Sequence, residues 1–108
     1  MKLRERLKES EFEKAFENPK KRTGHYIILY VVNNVPNKVG FIATRRIGNA
    51  VKRNRAKRIM REAFLSVEEV LPSDLTFILL AKSEIEGKKT KDIVEDLKNI
   101  LKREGIKV

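Results

Sequence analysis

Apolar and polar residues alternate along this chain with periods that change from segment to segment. Ser10-Glu11-Phe12-Glu13 has the Ser-x-x-Glu spacing of a capping box, which predicts a helix beginning near residue 11. Phe12, Ala15 and Phe16 follow at i, i+3, i+4 and give that helix a short apolar face, and Asn18-Pro19 ends it. Lys20 to Gly24 reads as a loop, with an added edge segment as the alternative. Residues 25–32, His-Tyr-Ile-Ile-Leu-Tyr-Val-Val, are β-branched and aromatic and predict a strand. Asn33 to Lys38 is turn chemistry, so this strand is expected to form a hairpin with a second one over Val39 to Thr44. Pro72-Ser73-Asp74 makes another turn, and Thr76 to Ala81 is apolar enough for a strand buried on both faces. A last helix carries Ile93, Val94, Leu97, Ile100 and Leu101 on one face, with Thr90 as its expected cap and Gly105 as its end.

Between the second and third strands lies one more helix. Asn49 can cap it, and it is predicted over Ala50 to Leu65. At about 100° per residue, Ala56, Ile59, Met60, Ala63 and Phe64 share one arc. Asn54, Lys57, Arg58 and Arg61 form an i, i+3, i+4, i+7 stripe opposite. The order α, β, β, α, β, α predicts an α+β fold, a small two-layer sandwich with helices on one side of a central sheet. With 108 residues and no repeat or linker, the chain reads as one domain over 1–108.

Charge changes this picture from a fold to a partner. The chain carries 25 Lys and Arg against 15 Asp and Glu, a net charge of +10. Residues 45–61 alone hold eight basic groups and no acid, whereas residues 62–81 hold four acids and no base. A solvated helix face would intersperse its signs as i, i+4 pairs. Charge gathered this way fits a polyphosphate. Six of the eight are Arg, whose planar fork suits phosphates and base stacking.

Other chemistry is sparse. The chain has no cysteine, so a disulfide framework, a thiolate metal site and a Cys nucleophile are excluded. His25 is the only histidine, and no carboxylate lies close to it in sequence. The acids of the helices, among them Glu9, Glu11, Glu13, Glu17, Asp92, Glu95 and Asp96, read as solvated surface. No metal-ligand spacing or phosphate-cradling loop occurs. The opening Met1-Lys2-Leu3-Arg4-Glu5-Arg6 has no signal-peptide core, and no apolar run is long enough to span a membrane, so a cytoplasmic protein is expected.

The segment from Val39 to Arg58, with Gly48-Asn49-Ala50-Val51-Lys52-Arg53-Asn54-Arg55-Ala56-Lys57-Arg58 at its centre, strongly resembles the signature of the bacterial ribonuclease P protein subunit family. Arg61-Glu62-Ala63-Phe64 continues the match, and Arg6-Leu7 followed by Phe12 and Phe16 matches the family's opening segment. The chain departs from it at Thr44-Arg45-Arg46, where Ser-Lys-Lys is common; charge and hydroxyl are kept. The resemblance implies a ribosomal-protein-like fold with a left-handed βαβ crossover. It also implies a protein that binds the catalytic RNA of ribonuclease P and holds the 5′ leader of precursor tRNA, while the RNA, with Mg²⁺, cleaves the leader. On this reading the protein alone is inactive and binds no cofactor of its own. Arg45, Arg46, Lys52, Arg53, Asn54, Arg55, Lys57, Arg58 and Arg61 are then expected to contact RNA. Phe12, Phe16, Tyr26, Ile28 and Tyr30 are expected to line a cleft for the unpaired leader, the last three by alternation on one strand face. Core packing is the competing role for the two Phe residues. A ribosomal or chaperone-like RNA-binding protein is the alternative function, and a DNA-binding helix module is disfavoured by the strands that flank the basic helix.

Overall fold

A computed structural model describes residues 4–108; the first three residues of the charged opening segment lie outside the described residues. The elements are β1 (Glu5–Arg6), α1 (Glu9–Ala15), β2 (Lys20–Thr23), β3 (Ile27–Val32), β4 (Lys38–Ile42), α2 (Ala50–Leu65), β5 (Thr76–Ala81) and α3 (Thr90–Arg103). Short 3₁₀ turns at Arg45–Ile47, Glu68–Val70 and Ser83–Ile85 join them. The strands form one mixed sheet in the order β1-β4-β5-β3-β2.

The expected α+β fold is what the chain forms, with β5 at the centre of its sheet; the expected placement of the helices on one side is corrected, since it holds for α2 and α3 while α1 packs on the opposite face. Thr76, Phe77, Ile78, Leu79 and Ala81 are buried, because β5 pairs antiparallel with β3 and parallel with β4 and is covered on both faces. The predicted hairpin is therefore corrected: β3 and β4 are separated by β5. The turn residues reverse the chain, with Asn37 in the left-handed region that Asn tolerates (φ 54°). They do not choose the neighbour. The most apolar strand takes the place where both of its edges are paired, and Thr76 Oγ1 accepts the Lys38 N–H at 2.8 Å beside it. The hairpin that does form joins β2 to β3, so Lys20 to Thr23 is an edge strand and not a loop.

α2 and α3 pack together on one face. Ile59, Met60, Phe64, Ile93, Leu97 and Ile100 meet Ile27, Leu29, Phe77 and Leu79 there. Each such side chain contributes about 1.5–3 kcal/mol when fully buried. α1 lies on the other face, where Leu7, Ala15, Val32, Val35 and Ile78 form a second cluster with Phe12, Tyr30 and Ile42 against it. Gly40 makes this possible: a β-carbon there would stand 2.8 Å from the Phe12 ring.

Two caps differ from expectation. α1 begins two residues early, with the Lys8 N–H donated to Glu11 at 2.8 Å, so Ser10 sits inside the helix. α3 is likewise capped at Lys89, whose N–H is donated to Asp92 at 2.9 Å. Thr90 is its first residue, and its hydroxyl donates to Glu62 at 2.8 Å, tying α3 to α2. In both helices the carboxylate at the third position satisfies the free amide, and an N-cap side chain is not required.

Candidate nucleic-acid interface

α2 occupies the predicted span, and its start is built locally. Asn49 Oδ1 accepts the Lys52 N–H at 3.0 Å. The preceding Gly48 has φ 129°, and a β-carbon there would meet Lys52 Cδ at 2.8 Å. The buried positions are Ala56, Ile59, Met60, Ala63 and Phe64, which fixes the rotation of the helix. Asn54, Lys57, Arg58 and Arg61 therefore face away from the sheet.

The basic residues divide into two groups. Arg53 donates to the Gly48 carbonyl at 2.8 Å, Arg55 to the Lys88 carbonyl at 2.7 Å, and Lys52 to Glu86 at 2.9 Å. These three are held by the protein. The side chains of Arg45, Arg46, Asn54, Lys57, Arg58 and Arg61 have no hydrogen-bond or ion-pair partner among the described residues. The hydrogen bond and charge of Lys52 keep the Glu86 carboxyl below its usual range. Val51, which sequence reasoning left without a role, stands 76% exposed among these groups.

An aromatic row crosses the opposite face of the sheet. The Phe12 and Phe16 rings are stacked at 6.5 Å, and the edge of Phe16 meets Tyr30 at 5.0 Å. Phe16 remains 38% exposed. Two residues along β3, Ile28 opens onto a cavity of about 370 Å³ that it shares with Leu80, Thr44, Arg46, Lys82 and Glu84. The row thus runs from α1 along β3 to the basic turn that precedes α2.

Tyr26 is not in this row, which corrects its expected place. His25 and Tyr26 form a bend, and β3 starts only at Ile27, so strand alternation does not reach back to residue 26. The Tyr26 ring packs against the α2–α3 cluster, with the Lys88 ammonium 5.1 Å from its centroid. Conversely, the β2–β3 register sets Lys21 opposite Tyr30 and Thr23 opposite Ile28. Directly opposed residues share a face, so Lys21 and Thr23 border the aromatic row. Alternation within Lys20-Lys21-Arg22-Thr23 is the signal that a loop assignment hid. Lys20 and Arg22 turn the other way and pair with Glu104.

No group of three or more His, Cys, Asp or Glu able to hold a metal occurs among the described residues, and no helix there is long and apolar enough to cross a membrane. His25 is exposed at the bend, its ring 6.1 Å from that of Tyr26.

Comparison with known proteins bears on this surface. The family model described as Ribonuclease P matches residues 1–105. The Ribonuclease P protein component of Limosilactobacillus reuteri is 34% identical over 99 residues, covering 89% of this chain and 85% of that one. Its counterpart from Clostridioides difficile is 28% identical over 104 residues, covering 94% and 91%. Among solved structures, the Staphylococcus aureus RNase P protein superimposes with a TM-score of 0.80 at 22% identity, covering 97% of this chain and 98% of that one. The Thermotoga maritima RNase P protein gives 0.77 at 27% identity, covering 93% and 97%. A family match across nearly the whole sequence, a relative above 30% identity and the shared fold agree: this chain belongs to the ribonuclease P protein-component family.

Proposed function

We propose that this chain is the RNA-binding subunit of a cytoplasmic ribonuclease P holoenzyme and assists its RNA in removing the 5′ leader of precursor tRNA. The observation that carries this reading is the junction at Arg46. There Arg46, a partner-free cation of the turn that enters α2, shares a cavity with Ile28, which continues along β3 the row formed by Phe12, Phe16 and Tyr30; Glu84 also lines that cavity. A folded RNA offers phosphates to the first surface, and an unpaired strand offers bases to the second.

The protein's part is electrostatic and positional. Arg45, Arg46, Lys57, Arg58 and Arg61 would neutralise phosphates that crowd together when the RNA folds, which lowers the demand for Mg²⁺. Asn54 lies within that stripe as a neutral donor and acceptor. Lys52, Arg53 and Arg55 already bond to the protein and would add charge at its edges. Mg²⁺ and the hydrolytic chemistry belong to the RNA in this reading, as the family resemblance implies, and the segment from Arg45 to Arg61 supplies no carboxylate of its own. Leader bases would stack on Phe16 and Tyr30, with Lys21 beside them for the backbone.

The test is precursor-tRNA cleavage by ribonuclease P RNA at low Mg²⁺, with and without the protein, and by the protein alone. Cleavage at the mature 5′ end is expected only with both together. No stimulation despite intact RNA binding would support the ribosomal or chaperone-like alternative, and cleavage by the protein alone would overturn the division of labour. Within the holoenzyme, Tyr30→Ala is expected to weaken precursor tRNA by about 1–3 kcal/mol, the worth of a stacked base. Mature tRNA, which lacks the leader, is expected to bind unchanged; equal losses for both substrates would remove the cleft assignment.

A further inference from the structure

One flank of α2 borders a pocket separate from the phosphate stripe and the aromatic row. Between α2 and the segment following the Ser83–Ile85 turn lies an open pocket of about 390 Å³. Ile47, Ala56 and Ile85 make its apolar floor, and Lys52, Arg55 and Glu86 its rim. Gly87 completes the lining, and the space where its β-carbon would project is empty to 4 Å. The cations are already positioned: Arg55 is fixed by the Lys88 carbonyl at 2.7 Å and Lys52 by Glu86 at 2.9 Å. The lining thus carries two cations against one carboxylate, that of Glu86.

An apolar floor under a cationic rim is complementary to a group that is flat and apolar on its face and anionic at its ends. A nucleotide has that character. A base inside an A-form duplex has its faces stacked and cannot reach such a floor, whereas a bulged or loop base can. We propose that this pocket receives one extruded, unpaired base of the partner RNA, with the adjoining phosphates on Lys52 and Arg55. The proposal rests on the reading of α2 as the RNA face and adds to it a site for a single base, where the phosphate stripe needs only backbone. On binding, a phosphate would replace Glu86 at the Lys52 ammonium, and the released carboxylate would be free to accept an N–H from the base edge.

Because the chain has no cysteine, Lys89→Cys supplies a single thiol beside the pocket, and Arg58→Cys one on the phosphate stripe. Each would carry a hydroxyl-radical-generating iron chelate in complex with a ribonuclease P RNA transcript. From position 89, strand scission is expected to centre on an unpaired nucleotide whose base loses reactivity to alkylating probes when the unlabelled protein binds. Ile47→Trp, which fills the pocket, is expected to restore that reactivity and to weaken the complex about tenfold, the value of one stacked base. The salt dependence is expected to stay the same. Ile47→Ala, which removes part of the floor without adding bulk, is expected to do likewise and covers the case in which tryptophan disturbs folding. Scission confined to duplex nucleotides, or protection that both Ile47 variants leave intact, would overturn the pocket assignment while leaving α2 as the RNA face. Scission from neither labelled position would overturn both readings together.

Discussion

Replacing Arg58 and Arg61 together by alanine is expected to cut affinity for the catalytic RNA by about 10- to 100-fold at low salt, roughly 1.4–2.7 kcal/mol. The same change is expected to flatten the salt dependence. Each phosphate contact contributes about 0.7–0.9 to the slope of log K against log salt, so the loss of two reduces it by roughly 1.4–1.8. Both residues are on the face of α2 turned away from the sheet, and neither side chain has a hydrogen-bond or ion-pair partner among the described residues. Their removal leaves no buried group unsatisfied and relieves like-charge repulsion. Folding stability is therefore expected to stay within about 0.5 kcal/mol of the parent, as for ordinary surface substitutions. That separation makes the experiment decisive: binding titrations at several salt concentrations move, and the urea midpoint does not. An Arg58→Lys, Arg61→Lys protein sharpens it by keeping the charge and losing the planar fork. A recovered slope with incomplete affinity would identify bidentate phosphate contacts. An unchanged slope in the alanine protein would show that RNA lies elsewhere.

α2 could be read from the sequence because everything that defines it is local. Asn49, the positive-φ Gly48 and the apolar arc through Ala56, Met60 and Phe64 lie within seventeen residues of one another. Strand neighbours could not be read the same way. Residues 33–38 specify a reversal, but the choice of β5 as the neighbour of both β3 and β4 depends on which strand gains most by central burial. Arg4 left no local trace at all. It sits in a charged opening segment and is 8% exposed, its guanidinium 5.9 Å and 5.5 Å from the centroids of Phe64 and Phe77. It donates to the Pro72 carbonyl at 2.6 Å, and its backbone N–H donates to Glu68 at 3.1 Å. Burial lowers its pKa and Glu68 opposes the shift. A cation capping the core edge through partners sixty or more residues away has no signature in its own neighbourhood.

Asp96 is the other residue whose role reverses between sequence and structure, and Asp96→Ala is expected to cause the largest loss of stability. By spacing it belongs with Asp92 and Glu95 on a solvated helix face. In the fold it is 3% exposed, and its carboxylate accepts three consecutive backbone N–H groups, from His25 and Tyr26 at 2.8 Å and from Ile27 at 3.2 Å. Gly24 gives it room, since a β-carbon there would lie 2.6 Å from the nearer carboxylate oxygen. This contact holds the bend before β3, the same bend that takes Tyr26 out of the aromatic row and starts the strand at Ile27. Alanine would leave three amides without an acceptor, at about 1–3 kcal/mol for each that water cannot reach. A total loss of roughly 3–5 kcal/mol is expected, a large part of the ~5–15 kcal/mol that holds a domain together. Asparagine keeps one acceptor oxygen and is expected to lose about half as much. Urea unfolding at 15–25 °C measures both, and an unchanged m value confirms that the end states are the same. A loss below about 1 kcal/mol for alanine would mean that water enters and satisfies the three amides. The bend would then be fixed by the β2–β3 ladder and by Lys82, which donates to the Tyr26 and Gly24 carbonyls, and not by a carboxylate reaching from α3 to the start of the strand that carries Ile28 and Tyr30.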